Sequence, residues 1–428
     1  MKYSSLSYCI IAGLIAVGAG SAGAQPVAAL SLESYIALAK KNNPQMRIAD
    51  AAVASDVAAW KKARSGLLPQ INGQAGAGRS MRPSSFPGGG ESYGNSYTAG
   101  VSGQQLIFDF GKSYFSTRAG SKIVIAARED ALGSLQTIVL NAKTAYFNFL
   151  LSQMLYEAAL EALSQAKAHL SQAKILFETG KQAKYTVTAA EVSVANAEVN
   201  VITTKNGLKL ARVQMEVAAG VPLGDSLRLT DSLVATEPDI ARDQAVVRAN
   251  DSLPQLVSLR ARLEAARLQL TSAKAALFPD LNAAAGIGYL SQDIYASSWQ
   301  QDWNVGLNLS VPIYQGGFLA AAVATARASV MQAQASLDAA VQGVQSAIDQ
   351  AYYGKTEAAE RISATQKLIQ SSQESLELAQ ERFAAGAAAS LEVTDAELVL
   401  ANAKSSHAQA LYDYRTAHAK LLAAMGAL

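Results

Sequence analysis

The chain contains two copies of one sequence pattern, and this internal duplication limits its possible folds more than any other feature. Residues 70–78 (QINGQAGAG) fall on residues 280–288 (DLNAAAGIG) after a shift of 210, and residues 177–198 fall on residues 383–404 after a shift of 206. A repeat of about 200 residues is far longer than the unit of a solenoid. The chain is therefore a duplicated half-domain, in which short strand-like segments precede very long helix-like ones.

Four segments alternate between apolar and polar residues, which is typical of strands that have one apolar and one polar face. The alternation predicts strands over 70–78, 97–108, 281–289 and 303–313, and it is clearest in the last. Each is about 9–12 residues long, the length of a tilted strand that spans a membrane. The polar, turn-rich stretches 79–96 and 290–302 are predicted to be hairpin loops. An ordinary soluble sheet would alternate in the same way, so this pattern alone leaves both interpretations open.

The rest of each half is compatible with helices of unusual length. No proline occurs between Pro87 and Pro222 or after Pro312. Long helices are predicted over 112–178 and 318–383, and returning helices are predicted over 185–219 and 391–425. At the usual rise per residue, a helix of about 66 residues is about 100 Å long, and globular domains rarely hold such a rod.

One face of the second long helix carries a heptad-like apolar seam, the pattern of closely packed, coiled helices. The seam consists of Val323, Val330, Leu337, Val341, Val344 and Ile348. Gly180 and Gly386 stand where each long helix would turn back, and glycine tolerates the left-handed backbone that ends helices. Pro44 and Pro254 are predicted to open shorter helices that lead into the first strand of each half.

These elements predict an α+β fold with four strands and two long helical hairpins. We divide the chain into a signal peptide (1–24), a first repeat (25–221), an equatorial linker (222–253) and a second repeat (254–428). Residues 26–43, the linker and the C-terminus are expected to form a belt around the middle of the helices. Four strands cannot close into a barrel, and an open sheet edge is not viable in lipid. If the strands span a membrane, several chains must contribute to one barrel.

The N-terminus has the pattern of a secretory signal. Lys2 is followed by an apolar core and by Ala22-Gly23-Ala24, a cleavage site of the A-x-A type; the alternative is a membrane anchor. The only cysteine, Cys9, lies inside this segment, so we expect neither a disulfide nor a lipid anchor at the cleavage site. No other stretch offers about 18 consecutive apolar residues, so a transmembrane helix is not expected. The net charge of +2 gives no basic face for nucleic acid.

Three motifs carry a resemblance to a known family. They are Leu106-Ile107-Phe108-Asp109-Phe110-Gly111, Pro312-Ile313-Tyr314-Gln315-Gly316-Gly317, and Phe383-Ala384-Ala385-Gly386 continued by Leu391-Glu392-Val393-Thr394-Asp395-Ala396. Over about residues 26–428, the chain resembles the TolC-like outer-membrane efflux protein family. The resemblance implies a homotrimer whose strands, four from each chain, form one shared transmembrane β-barrel in the bacterial outer membrane. It also implies that the helices form a coiled-coil tunnel that extends into the periplasm and tapers to an aperture.

The function implied by the resemblance is that of a passive exit duct in a tripartite efflux system for small toxic compounds. The implied partners are a periplasmic adaptor (membrane fusion) protein, an inner-membrane transporter of the RND, ABC or MFS type, and outer-membrane lipid, with no cofactor. An exit duct for type I protein secretion would use the same architecture and remains open. A soluble periplasmic coiled-coil scaffold is the alternative from another class, and it would partition into the soluble fraction.

Four residues are expected near the periplasmic aperture from their positions in the motif: Phe383, Ala388, Glu392 and Asp395. The family often closes this tip with a Tyr–Asp–Arg lock. Phe383 lacks the hydroxyl and Ala388 lacks the guanidinium, so we expect a looser closed state held by packing and adaptor contacts. Copies of both acids around one axis would concentrate negative potential and favour cations. The structural alternative is that the two acids sit in the first turn of a helix because the helix dipole favours them there.

The other candidate residues are structural. Gly180 and Gly386 are expected to form the turns at the helical tips and to contact the adaptor. The strand–helix junctions are expected at Phe108, Gly111, Pro312, Tyr314, Gly316 and Gly317. Tyr289 and Trp303 are either members of an interfacial aromatic belt or ordinary packing aromatics. His169, His407 and His418 lack the spacing of metal ligands, so neither a metal site nor an enzyme is expected.

Overall fold

The computed structural model describes residues 30–82, 92–224, 229–235, 240–292, 294 and 299–428, so the predicted signal peptide (1–24) and Cys9 lie outside the described residues. The described elements are α1 (Leu32–Asn42), α2 (Pro44–Ser65), β1 (Gln70–Arg82), β2 (Ser92–Phe108), α3 (Lys112–Glu178), α4 (Lys184–Ala219), α5 (Arg242–Ser252), α6 (Pro254–Ala275), β3 (Asp280–Ser291), β4 (Gln300–Ser310), α7 (Phe318–Ala384) and α8 (Ser390–Ala424). Helices α3 and α7 each contain 67 residues. Long helices joined to one small sheet confirm the predicted α+β class.

The four strands form one antiparallel sheet in the order β1-β2-β3-β4. Val101 pairs with Gly73 on one side and with Ile287 on the other, and Ile287 in turn pairs with Trp303. Since paired residues point to the same face, the apolar residues of neighbouring strands share one face of the sheet. Asn304 pairs with Gly286 on the opposite face, which is rich in glycine, serine and asparagine.

The strand boundaries differ from the predicted ones in two ways. First, all four strands extend into the predicted loops: β1 continues to Arg82, β2 begins at Ser92, β3 continues to Ser291 and β4 begins at Gln300. Residues at both ends of the predicted loops 79–96 and 290–302 therefore belong to strands. The regular apolar alternation stops there, but backbone hydrogen bonds extend the ladder without it. Second, β4 ends at Ser310 rather than at residue 313. Pro312 has no N–H to donate to a ladder, so the chain leaves the sheet before it.

Next to the sheet, the helices stand side by side in the order α2-α3-α6-α7. Trp60 on α2 packs against Gly120 on α3, where an added Cβ would lie 3.4 Å from the indole ring. Ser272 on α6 donates a hydrogen bond to the carbonyl of Lys112 at the start of α3, at 2.8 Å. These contacts hold the first part of α3 between α2 and α6.

Away from the sheet, the order of neighbouring helices becomes α4-α3-α8-α7. Lys174 of α3 lies 4.0 Å from Glu191 of α4, and Lys404 of α8 lies 2.6 Å from Glu161 of α3. Most buried residues of α3 in this half are alanine or leucine. Small side chains let helix axes approach closely, so direct helix–helix packing holds this half together.

Shorter segments pack against the long helices near their middle. Tyr35 on α1 donates a hydrogen bond to the carbonyl of Met215 at 2.8 Å, and Tyr146 on α3 donates one to Asp231 at 2.6 Å. Burial raises the pKa of the Tyr146 phenol, so the hydroxyl stays protonated and donates. The last part of the linker forms α5, where Arg242 donates hydrogen bonds to both carboxylate oxygens of Asp349 on α7, at 2.7 and 3.0 Å.

No helix among the described residues is long and apolar enough to cross a membrane.

Candidate functional site

The tip farthest from the sheet consists of two helical hairpins that turn at glycines. Gly180 follows α3 with φ +73°, and Gly386 follows α7 with φ +75°. The Ala387 N–H donates to the carbonyl of Arg382 at 2.8 Å, and the Gly386 N–H donates to that of Phe383 at 3.0 Å. This is the hydrogen-bond pattern of a helix that ends on a left-handed residue. The predicted left-handed turns are confirmed at both tips.

Phe383 and Ala388 lie at the tip, but neither side chain faces an opening within the chain. Phe383 is fully buried in a cluster that also contains Leu376, Val393 and Leu400, and Ala388 belongs to the same cluster. The Phe383 side chain is therefore part of the core of the hairpin. Its ring carries no polar group, so it contributes packing and no hydrogen bond.

The ring of Phe383 also packs on a buried histidine. The centroids of Phe383 and His169 are 4.8 Å apart, and His169 Nε2 lies 2.8 Å from the Ser390 hydroxyl. Burial lowers the pKa of His169, so the imidazole is neutral near pH 7. These contacts join α3, α7 and the start of α8 at the tip.

The two predicted aperture acids differ in their surroundings. Glu392 lies in the first turn of α8 and forms an ion pair with Arg382 at 3.1 Å. Asp395 lies one turn later and is exposed. The corresponding residues of the first half are Thr186, which is buried, and Ala189, which is half-buried, so only the second hairpin carries acids at these two positions. The first-turn position of Glu392 also agrees with a helix-dipole role.

A third acid at the tip, Glu397, is absent from the residues that the sequence singles out. Only 7% of Glu397 is exposed, and its Oε1 has no hydrogen-bond partner among the described residues. Burial raises the pKa of this carboxyl to about 7. The sequence contains a signal that could have found it, because Val393, Glu397 and Leu400 step by 4 and 3 along the buried face of α8.

The strand–helix junctions of both halves contain residues with a left-handed backbone conformation. Gly111 and Gly317 precede α3 and α7 with φ of +86° and +85°. Phe110 also has a positive φ, as does Gly316 at the corresponding position of the second half. The cost at Phe110 is offset by its neighbour Asp109, whose carboxylate accepts hydrogen bonds from the backbone N–H groups of Gly111 and Ser113 at 3.1 and 2.8 Å.

The apolar face of the sheet is exposed along its whole length. Trp303, Val305 and Leu307 are 69%, 75% and 73% exposed. Exposed apolar areas of this size mark a surface that contacts lipid or another protein. Tyr289 and Trp303 lie near the loop end of this face and are both exposed, and their place in an interfacial aromatic belt stays a prediction.

A second aromatic group lies at the opposite end of the sheet, next to the helices. The ring centroids of Phe108 and Phe110 are 4.8 Å apart, and those of Phe110 and Phe278 are 5.0 Å apart. Tyr314 is 86% exposed close by in sequence, after β4. The apolar face is therefore bounded by aromatic side chains at both ends.

The chain has two open edges, and these define what it can assemble into. In the described part of the chain, β1 pairs only with β2 and β4 only with β3. Helices α2 and α4 lie on one edge of the helical row and α7 lies on the other. The edge helix α4 exposes one apolar stripe, formed by Val192, Val199, Ile202, Leu210, Val213 and Val217. Unpaired strand edges and an uncovered apolar stripe require a neighbour.

The described residues contain no group of three or more His, Cys, Asp or Glu side chains that could hold a metal ion.

Comparisons with known proteins agree with this architecture. The model of the family described as outer membrane efflux protein matches residues 35–221 and 245–427. The chain is 26% identical to outer membrane protein TolC of Escherichia coli (strain K12), covering 91% of this chain and 81% of TolC. It is 28% identical to alkaline protease secretion protein AprF of Pseudomonas aeruginosa over 50% of this chain and 44% of AprF. The outer membrane channel CmeC of Campylobacter jejuni has the same fold, with a TM-score of 0.84, 20% identity, and coverage of 100% of this chain and 94% of CmeC.

Proposed function

We propose that this chain, which belongs to the outer membrane efflux protein family, forms the passive exit duct of a tripartite efflux system for small toxic compounds. The observation that carries the proposal is the pair of open edges. Strand β1 and helices α2 and α4 lie on one edge, and β4 and α7 lie on the other. Neighbouring copies joined edge to edge would satisfy the unpaired backbone groups of both strands and cover the stripe on α4.

Membership of the family supports a homotrimer in the outer membrane, and the open sheet edges require more than one chain. Three chains would supply the strands of one closed barrel, since four strands are too few and known single-chain barrels have about eight or more. The exposed apolar face would contact lipid, and the face with Asn304 and Gly286 would line a polar interior. Helices α3 and α7, each about 100 Å long, would continue the duct into the periplasm together with the shorter α4 and α8. There the tips would meet a periplasmic adaptor, which connects to an inner-membrane transporter.

The acids at the tip give the duct a cation-favouring entrance in this proposal. Glu392 and Asp395, present in every chain, would repeat around the axis and add their potentials in a narrow opening. Phe383 would keep each hairpin rigid from within, without the lock of the family.

Single-channel recording in planar bilayers tests the entrance. The double variant Glu392→Ala, Asp395→Ala should change the conductance and reduce the preference for cations. The double variant Glu357→Ala, Glu360→Ala is the matched control, because it removes two exposed acids with the same spacing from the middle of α7. Equal conductance and cation preference in all three proteins would remove Glu392 and Asp395 from the entrance.

Export of secreted proteins is the second candidate, and the similarity to AprF, named as a secretion protein, favours it. The two functions are separated by deleting the gene and following two readouts in the same cells. Accumulation of toxic dyes with normal secretion supports efflux, whereas loss of a secreted protein with normal dye content supports secretion.

A further inference from the structure

The helix segments that adjoin the sheet carry only positive charge. Residues 57–68, 110–128, 265–279 and 311–337 contain ten lysines and arginines and no aspartate or glutamate. The whole chain is nearly balanced, with 36 basic and 34 acidic residues. The basic residues are therefore concentrated where four helices meet the sheet.

One side of this helical row continues the apolar face of the sheet. Phe108 pairs with Leu281, and Leu281 pairs with Leu309, so Phe108 lies on the apolar face at its helical end. The ring of Phe108 contacts that of Phe110, which stacks on Phe278 just after α6. The apolar face thus passes through these aromatic rings onto one side of the helices.

Five exposed cations lie on this side of the row, and we call them the basic collar: Lys61 and Lys62 of α2, Arg118 of α3, and Arg267 and Lys274 of α6. On α6, Arg267, Lys274 and Phe278 step by 7 and 4, which places them above one another on one side of the helix. The other side of the row forms a cavity lined by Trp60, Gly120 and residues of α6 and α7, and no member of the collar lines it.

The nearest acids do not cancel the charge of the collar. Asp109 is buried and accepts hydrogen bonds from backbone N–H groups at the start of α3. Glu264 is paired with Lys122 at 2.5 Å, and Asp56 lines the cavity on the other side of the row. The five collar residues themselves form no ion pair among the described residues. Their charge is therefore available to a ligand from outside the chain.

The collar lies at the depth that lipid headgroups would occupy beside the apolar face. Arg267 is its member farthest from a helix end at the sheet, eight residues before α6 ends at Ala275, or about 12 Å at the usual rise. A headgroup layer is about 5–8 Å thick, and the long side chains of lysine and arginine extend toward it. Lys61, Lys62 and Lys274 lie within about one turn of their helix ends.

We propose that the basic collar binds anionic phospholipids, such as phosphatidylglycerol, in the membrane leaflet that faces the periplasm. Clusters of about four to eight lysines and arginines next to a membrane-spanning segment are typical of surfaces that attract acidic lipids. A zwitterionic lipid carries its own cation beside the phosphate, so the collar attracts it less. The inference rests on the proposed function, because that proposal places the apolar face in the outer membrane.

Spin-labelled lipids measure this preference in membranes that contain the full-length protein. Electron paramagnetic resonance separates lipids immobilised at the protein from lipids in the free bilayer. It gives the ratio of the association constants of phosphatidylglycerol and phosphatidylcholine. In the wild type this ratio should be about fivefold at low salt. It should fall toward one at about 1 M salt, where the Debye length is only about 3 Å.

Charge variants locate the preference on the collar. The triple variant Lys61→Gln, Lys62→Gln, Lys274→Gln should lower the ratio to about twofold or less, and arginine at the same three positions should keep the wild-type ratio. Lys184→Gln, Lys205→Gln, Lys209→Gln is the matched control, because it removes the same charge from exposed positions of α4, on the half away from the sheet. This control should keep the wild-type ratio.

A wild-type ratio near one overturns the proposal, and so does an equal fall in the collar variant and the control. If inorganic phosphate removes the preference and chloride at the same ionic strength does not, the collar binds free phosphate and the lipid assignment is wrong. Conductance of the same preparations separates the two proposals. A conducting protein without a lipid preference overturns only the collar, whereas a protein without conductance opposes the exit duct.

Discussion

Glu397→Gln should make the tip more stable at alkaline pH, because the variant removes a carboxylate that the fold buries. Burial raises the pKa of Glu397 from the ordinary 4.5 to about 7. The folded tip therefore holds a proton between these values that the opened tip releases, and wild-type stability falls as the pH rises through this window. At about 1.36 kcal/mol for each pKa unit, the wild-type tip loses about 3 kcal/mol of opening free energy in total as the pH rises above 7. About 2.5 kcal/mol of this loss falls between pH 5 and pH 8.

Hydrogen exchange followed by mass spectrometry measures this local stability directly. Peptides within residues 390–404 report the opening of α8 after correction for the intrinsic exchange rate at each pH. The wild type should lose about 2.5 kcal/mol of opening free energy between pH 5 and pH 8. Glu397→Gln should lose far less, and the exposed control Glu198→Gln should behave like the wild type. A wild type and a Glu397→Gln variant with the same change between the two pH values would refute the argument that burial of this carboxyl limits tip stability.

Three further substitutions test the tip and the sheet. Phe383→Ala should destabilise the tip by about 3–5 kcal/mol, because removal of a fully buried ring leaves a cavity. Phe383→Leu should destabilise it much less, and hydrogen exchange of residues 376–400 compares the two variants. Gly386→Ala should destabilise the turn by about 1–2 kcal/mol, because φ is +75° there, and Gly386→Asn should destabilise it less. The rate of protease cleavage at the turn measures both effects, and equal cleavage rates in the two variants would contradict the left-handed turn. Leu307→Lys should reduce the amount of protein in the outer membrane, since a lysine on a lipid-facing strand costs about 2–4 kcal/mol. Asn308→Lys, on the opposite face, is its control, and equal loss in both variants would contradict the assignment of the faces.

The long helices were predictable because their signals repeat over many turns. The absence of proline and the heptad-like seam set α3 and α7 to within one residue of the expected ends. Val344 and Ile348 of the predicted seam are buried, while Val323 and Val330 near the sheet are half-buried. Local signals were also sufficient for the left-handed turns, because few residues other than glycine adopt that backbone.

The elements that the sequence did not reveal depend on partners that are distant in the chain. The extensions of β1 and β2 are held by backbone pairing between polar residues such as Arg79 and Asn95, which leaves no apolar pattern. The linker helix α5 is held by Arg242 on Asp349, 107 residues away. Phe110 adopts a positive φ that its residue type disfavours. The sequence indicates this only through Gly316, the residue at the corresponding position of the second half.

The candidate site was only partly predictable for the same reason. The motif placed Phe383, Ala388, Glu392 and Asp395 at the tip, but it could not distinguish buried from exposed side chains. Glu397 follows the buried face of α8, yet an acid at such a position is normally read as part of a solvated face. Its burial arises from the way α3, α4 and α8 pack together at the tip.

Single-channel recording on protein purified from outer membranes, with its oligomeric mass measured in the same preparation, tests the central claim most directly. Two open strand edges and an uncovered apolar stripe predict an oligomer, and membership of the family predicts that it is a trimer, whose insertion should produce discrete conductance steps. A monomer in the membrane fraction that produces no conductance would contradict the exit duct, because the four strands of one chain enclose no pore.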